Sequence, residues 1–415
     1  MRRKIRTGND CPIAFFSRNK LGYPVNMVDL LRQAITAEAR TVVIKVGTRS
    51  LSQPDGKLDE PRVASLADEL RKLIDSGRKV ALVSSGAVGA GMGLLDMSER
   101  PIDLAQLQAV AAIGQSYLVQ AYERSLRSHG RHAAQILLTA EDLDDRTRYL
   151  NVRNTILTLM ELGAVPIINE NDTVSVAELQ ITFGDNDRLA AMVTNLLQAP
   201  LLVILSDVDG LYDRDPKLHG AEVIQTVTRL DDGILALACD RVTGRSKGGM
   251  SSKLAAARMA TASGENVIIA NGTRPGSLGR IFAGEPEGTL FLAEGAKVAA
   301  RKRWIGFTAQ PRGHLVLDDG ACRAVLQQGK SLLAIGLKDA IGPFQKGDIV
   351  GLRDERGAEF ARGLSNYSAA DLRRIKGMRT DAIASVLGHC PYKAVVHRDN
   401  MTLTRPADTH ARETT

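Results

Sequence analysis

The sequence predicts an α/β protein: a mainly parallel sheet sandwiched between helices, followed by a small β-rich domain. Three observations lead there. From Thr41 to Ala270, short apolar runs alternate with amphipathic stretches of helical period, the pattern of a parallel sheet covered on both faces. After Arg301-Lys302-Arg303 the texture changes to short apolar runs separated by turn residues. Finally, the polar clusters of the first part each follow an apolar run directly. That places them at the carboxyl ends of the strands, where ligands of such sheets bind.

The chain has 415 residues, long enough for two or three domains with a sizeable core. Its 44% hydrophobic content is that of a globular protein, and its 4% aromatic content speaks against rows of aromatics stacking on bases. No run of about 18 apolar residues is present, so no membrane span is expected. Cys11, Cys239, Cys322 and Cys390 lie far apart without metal-ligand spacing and fit a reducing cytoplasm. The net charge of +7 is uneven: 8 basic against 3 acidic residues in 1–40, 27 against 32 in 41–300, and 19 against 12 in 301–415. The basic end permits nucleic-acid contact without establishing it.

Residues 1–37 form an extension expected to be flexible, without the continuous apolar core of a secretory signal. Met27 is an alternative start, because Val28 to Ala39 reads as a short helix leading into the first strand. Val42-Val43-Ile44 is a buried strand. Asp59 to Ser76 is a helix with Pro61 in its first turn, Val63, Leu66, Ala67, Leu70 and Ile74 on one face, and Gly77 as C-cap. The alternation continues with strands Val80–Val83, Ala134–Leu138, Val165–Ile168, Leu201–Leu205 and Asn266–Ala270. Helices Arg146–Leu162, Asn186–Leu197 and Ser252–Ser263 lie between them. In the second part, Leu315–Leu317, Ile349–Leu352 and Ala394–Val396 read as strands. They are followed by turns at Asp318-Asp319-Gly320, Arg356-Gly357 and Arg398-Asp399-Asn400. The domains expected are 38–297 and 303–402, with a tail over 403–415.

The densest polar stretch runs from Asn169 to Asp187 and opens at the end of a buried strand. Asp185 alone would cap the next helix. That leaves Asn171, Asp172, Asn186 and Asp187 unexplained, so the stretch reads as a pocket for a small charged molecule. Four further motifs surround it. Lys45 and Gly47 at a strand end offer an ammonium and free N–H groups to phosphate oxygens. Ser84-Ser85-Gly86 through Gly91 admits two readings, close approach of a ligand or tight helix packing. Ser206-Asp207 opens an acidic loop. Lys247-Gly248-Gly249-Met250-Ser251-Ser252-Lys253 is a glycine pair, a hydroxyl pair and a lysine at a helix start, suited to folding over a nucleotide. Ala324 to Ser331 imitates a phosphate-binding loop but lacks its first glycine and a following helix, so it reads as a turn. Lys45 and Lys253 bracket the polar stretch, and no His falls in these motifs. Positioning plus cations, without a nucleophile–base set, points to phosphoryl transfer.

These motifs, in this order, resemble the glutamate 5-kinases of the amino-acid kinase family. The likeness is carried by Val43-Ile44-Lys45-Val46-Gly47-Thr48, Ser84-Ser85-Gly86-Ala87-Val88, Asn169-Glu170-Asn171-Asp172, Gly184-Asp185-Asn186-Asp187, Asp207 with Gly210-Leu211-Tyr212, and Gly248 through Lys253. Asp319-Gly320-Ala321, Gly329-Lys330-Ser331, Gly347-Asp348, Asn366-Tyr367-Ser368 and Val396 through Asn400 resemble a PUA domain. The resemblance implies phosphorylation of the L-glutamate γ-carboxylate by ATP with Mg²⁺, the first step of proline biosynthesis. It implies that Lys45 and Lys253 stabilise the transferring group and that Asp187 positions them. It gives glutamate binding to Ser85, Asp172 and Asn186 with Asp185 close by. The ATP site would be formed by Lys45, Ser206, Asp207, Lys247, Gly248, Gly249, Met250, Ser251, Ser252 and Lys253. It further implies a dimer or tetramer in the cytoplasm and proline feedback at the loop between Asp172 and Asn186. Two other readings stand beside it: a kinase of N-acetylglutamate or aspartate, and an RNA-binding protein acting through the PUA-like part.

Overall fold

The computed structural model describes residues 25–174, 186–238, 249–294, 302, 305–306, 309–388 and 392–404. Its first described element is helix α1 (Val25–Glu38), which covers the short helix read at Val28 to Ala39 and starts inside the extension expected up to residue 37. Packing holds it in place. Arg32 is fully buried and donates to the carbonyls of Glu287 at 2.6 Å, Gln225 at 2.9 Å and Gly288 at 3.2 Å, which ties α1 to the distant edge of the sheet.

The first sheet has eight strands. They are β1 (Thr41–Val46), β2 (Lys79–Ser84), β3 (Ala133–Leu138), β4 (Val165–Glu170), β5 (Leu201–Ser206), β6 (Thr226–Val227), β7 (Asn266–Asn271) and β8 (Thr289–Phe291). Their spatial order is β3-β4-β2-β1-β5-β7-β8-β6. All neighbours from β3 to β7 pair in parallel; β8 pairs antiparallel with β7, and β6 runs parallel to β8. β1 is central. The chain leaves it toward β2 on one side and reaches β5 on the other, so a crevice forms at its carboxyl end.

Side chains alternate across this sheet and so create two cores. Val42, Ile44 and Val46 of β1 face α2 (Glu60–Asp75) and α4 (Leu104–Arg127), meeting Leu66, Leu70, Leu118 and Tyr122. Val43 faces the opposite layer, where α6 (Arg146–Glu161), α7 (Asn186–Leu197) and α9 (Met250–Ala262) contribute Ile156, Leu189, Val193, Leu254 and Ala257. Lys45 shares the parity of Val43, and so points at α7 and α9. The shorter helices are α3 (Ala87–Leu94), α5 (Ala140–Asp144), α8 (Asp232–Ala236) and α10 (Ser277–Phe282).

The glycines after β2 settle the two readings of that motif in part. Gly86 takes φ +110° and turns the chain from β2 into α3. Gly91 and, on α4, Gly114 serve packing: a Cβ on Gly114 would overlap the Ala87 carbonyl, and one on Gly91 the Val110 carbonyl.

The second sheet has the order β10-β9-β11-β12-β13, with β9 (Gly313–Leu317), β10 (Leu337–Ile341), β11 (Ile349–Arg353), β12 (Glu359–Ser365) and β13 (Val396–Leu403). Two expected turns are corrected. Asp318-Asp319-Gly320 starts helix α11 (Asp319–Leu326), in which the Asp318 carboxylate accepts the Ala321 N–H at 2.7 Å and Cys322 and Val325 turn into the core. Arg398-Asp399-Asn400 lies inside β13, where pairing with β12 shifts register between Gly363 and Ser365 and absorbs the extra residues as a bulge. The loop-like stretch from Ala324 follows no strand and precedes no helix of its own. Its first residues end α11. Among the described residues no helix is long and apolar enough to cross a membrane.

Candidate active site

Lys45, Asp187 and Lys253 meet in the layer between β1, α7 and α9. Lys45 Nζ lies 2.5 Å from Asp187 Oδ1, and Lys253 Nζ lies 3.2 Å from Asp187 Oδ2. The Asp187 side chain is fully buried, and each lysine side chain is only 6% exposed. Burial opposes charge on Asp187, but Lys45 and then Lys253 outweigh it and hold the carboxyl below its usual range. Ser252 Oγ adds a hydrogen bond to Asp187 Oδ2 at 3.2 Å. Three charged groups from distant parts of the sequence thus form one cluster with a surplus of one positive charge.

The cluster sits under the start of α9. Gly249 is the N-cap and provides no side-chain cap, so the first-turn N–H groups of Met250, Ser251 and Ser252 retain their capacity to bind an anion. Lys247 and Gly248 lie outside the described residues, as does Asp185.

Beside the lysines an amide network spans four elements. Asn186 Nδ2 donates to Ser85 Oγ at 2.8 Å and to Asn169 Oδ1 at 3.0 Å. Asn169 Nδ2 in turn donates to Gln115 Oε1 at 2.8 Å. Ser85 is held where β2 ends, its N–H bonded to the Val46 carbonyl at 3.1 Å. Gln115, on the inner face of α4, escaped the sequence reading because that helix was not assigned. Asn169 belonged to the polar stretch but had been given no role.

Asp172 follows β4 and is half-buried. Burial first, then the neighbouring Glu170 carboxylate, push its carboxyl up to about 6, against the opposing pull of Arg100. Arg100 also lines a cavity of about 530 Å³ with Thr48, Arg49, Ser52, Gly89 and Met92. That cavity adjoins the loop after β1 and brings two guanidinium groups to the crevice.

On the β5 side, Ser206 is buried and donates its hydroxyl to Asp207 Oδ1 at 3.1 Å. Arg49 Nη1 lies 2.9 Å from Asp207 Oδ2. Burial raises the Asp207 carboxyl, but the Arg49 hydrogen bond leads the effects that bring it below its usual range. Arg49 was another residue the sequence reading passed over, although it directly follows the Gly47-Thr48 motif. Gly47 N–H bonds the Leu205 carbonyl at 3.1 Å, and Gly272 N–H the Ser206 carbonyl at 2.7 Å, which fixes the ends of β1, β5 and β7 around the crevice. Among the described residues no three His, Cys, Asp or Glu side chains cluster as a metal cage.

Comparison with known proteins agrees with this architecture. Residues 40–271 match the model of the amino acid kinase family, and residues 313–387 match the PUA domain. A glutamate 5-kinase of Rhodopirellula baltica is 49% identical over 373 residues, covering 90% of this chain and 96% of the relative. Glutamate 5-kinases of Pseudomonas entomophila and Caldanaerobacter subterraneus are 46% and 45% identical. They cover 90% and 87% of this chain, and 100% and 97% of their own lengths. With a buried lysine pair at the crevice and these matches along nearly its whole length, the chain belongs to the amino acid kinase family, in its glutamate 5-kinase branch with a C-terminal PUA domain.

Proposed function

We infer that the protein transfers the γ-phosphoryl group of ATP to the γ-carboxylate of L-glutamate, giving L-glutamyl 5-phosphate and ADP, the opening step of proline biosynthesis. The observation that carries the reading is the Lys45–Asp187–Lys253 cluster beside the Ser85–Asn186–Asn169 network, in a chain nearly half identical to glutamate 5-kinases along almost their whole length. ATP phosphates fit the open N-terminus of α9 at Gly249, Met250, Ser251 and Ser252, with Ser206 and Asp207 on the nucleotide side. Glutamate fits the other side of the crevice. Asn186 and Ser85 offer polar contacts there, and the Asp172 carboxylate, once ionised, suits the substrate ammonium.

A glutamate carboxylate is ionised at neutral pH, so it attacks phosphorus without a general base. One oxygen–phosphorus bond forms as the bond to the β-phosphate oxygen breaks, and ADP leaves with the electron pair. Charge spreads over the three transferring oxygens, and two lysines fixed by one buried carboxylate meet it without rearranging. Asp187 acts through those lysines. Mg²⁺ would enter with ATP as part of the substrate. Its oxygen ligands would come mainly from the phosphates.

The test is ADP release with ATP, Mg²⁺ and L-glutamate, beside N-acetylglutamate and aspartate, with hydroxylamine trapping the acyl phosphate. Glutamate-dependent ADP and hydroxamate are expected. Turnover with N-acetylglutamate or aspartate instead would overturn the substrate assignment, and no turnover from folded protein would overturn the reaction.

A further inference from the structure

A second cavity, of about 210 Å³, lies on the outer side of α7 and α9, where the two sheets' domains meet. Arg188, Arg258, Gln310, Arg362 and Thr404 line it, with Gly306. Arg188 follows Asp187 in the first turn of α7. Arg258 lies on α9 with Ala255, Met259 and Ala262, residues whose spacing puts them on one helical stripe. The remaining residues come from the start of the second domain, from β12 and from the end of β13.

The cavity is rich in donors and poor in acceptors. Among the described residues Arg188 Nε is buried without a hydrogen-bond partner, and so is Thr404 Oγ1. The Arg258 guanidinium makes no side-chain hydrogen bond or ion pair among the described residues, while its carbonyl accepts from Thr261 Oγ1 at 3.4 Å. Arg362 uses Nε on Glu359 at 2.7 Å and Nη1 on the Ala309 carbonyl at 3.2 Å. Burial, and then the like charge of Arg362, bring the Arg188 guanidinium below its ordinary value, while Asp144 pulls the other way. Asp144 is the nearby acid. It accepts the Gln310 N–H at 2.8 Å, and burial pushes its carboxyl up to about 6. Three guanidinium groups thus line the cavity; Arg312, Arg188 and Arg362 act on Asp144 and Arg362 pairs with Glu359, which leaves net positive charge and unmatched donors. Buried donors without acceptors are costly, and guanidinium forks match tetrahedral oxyanions in geometry and charge.

We propose that this interdomain pocket is a binding site for a small phosphate-class anion, held by Arg188 and Arg258 of the kinase domain together with Arg362 and Thr404 of the second domain. Inorganic phosphate satisfies the donors, and the remaining volume admits the organic part of a phosphomonoester. The inference does not depend on which amino acid the active site phosphorylates.

The experiment is isothermal titration of the full-length protein with inorganic phosphate and, separately, glycerol 2-phosphate, at ionic strength held constant with chloride. Saturable binding is expected in the wild type and in Lys253→Ala alike, because the pocket lies apart from the catalytic lysines. Tighter binding of the ester would assign the free volume to the organic group, and equal binding would assign the site to the phosphoryl oxygens alone. Arg258→Gln and Arg362→Gln, one from each domain, should each weaken binding about tenfold or more. Thr404→Val, nearly isosteric and so the safeguard against misfolding, should weaken it about threefold or more. Three outcomes would overturn the proposal. They are heat that tracks ionic strength without saturating, loss of binding in Lys253→Ala with none in Arg258→Gln and Thr404→Val, and weakening by the variants of one domain only.

Discussion

Replacing Asp187 by Asn tests the central cluster most directly. The amide keeps the shape but removes the negative charge shared by Lys45 and Lys253, whose ammonium groups lie 2.5 and 3.2 Å from its two oxygens. Both lysines would stay buried, roughly 6 Å apart, where like charges repel by about 3 kcal/mol at an effective dielectric of 20. Lost attraction adds to this, and breaking one member out of a buried ion cluster typically costs about 3–5 kcal/mol. The expected deficit of Asp187→Asn is therefore about 3–5 kcal/mol in the nucleotide-responsive transition of urea unfolding. Phosphates would supply the missing negative charge, so saturating ATP should recover part of it. An Asp187→Asn protein that unfolds with the wild type in the absence of ATP would refute the argument. So would an equal deficit with and without ATP.

Three further expectations follow from the same geometry. Lys253→Ala should lower kcat by about a hundredfold to a thousandfold or more while KM for glutamate changes little, since the ammonium serves the transferring group; steady-state kinetics with near-normal kcat would remove it from catalysis. The Asp172 carboxyl, raised to about 6, should make kcat/KM for glutamate fall roughly eightfold between pH 6.5 and pH 5 as the carboxylate is lost, and a pH profile that Asp172→Asn does not flatten would take Asp172 out of the site. Stability runs the other way: the fold favours the protonated form, so this contribution is complete below the ordinary carboxyl range and is lost as pH rises through about 6. Gly114→Ala should cost about 1–3 kcal/mol by forcing α3 from α4, whereas Gly279→Ala, with open space around it, should be nearly neutral; equal melting temperatures for the two would contradict the packing role.

The sheet and its covering helices were legible because period-two and period-3.6 patterns are set locally, as at Val42–Ile44 and along Val63, Leu66 and Leu70. Other features were settled by contacts distant in sequence. A lysine ending a strand usually reaches solvent, and nothing local to Lys45 says that Asp187 will bury it. Gln115 sits in a helix whose small residues, Gly114 among them, weaken the amphipathic signal because they serve close packing on α3. Asp318-Asp319-Gly320 suits a turn and a helix start equally, and the burial of Cys322 and Val325 decides for the helix. Arg398 through Asn400 carry turn chemistry, yet the partner strand β12 draws them into a bulge. Arg32 gave no sign of its carbonyl partners near residue 287.

The charge balance of the site explains why two lysines and one aspartate, rather than a neutral pair, occupy its floor. A matched pair would satisfy itself and leave little field for a ligand. A lone buried lysine would tend to lose its proton in a low-dielectric site. With Asp187 shared between them, both ammonium groups are anchored, and the three side chains together carry a net positive charge beneath the start of α9. That excess is unfavourable in the empty protein and favourable once a phosphoryl group stands above it, and most favourable when that group is leaving one oxygen for another. The next residue on α7 shows the reverse arrangement: Arg188, about 100° further round the helix, turns its unmatched donor toward the second domain. A single residue step thus separates a carboxylate that organises cations for the reaction from a cation facing a different cavity.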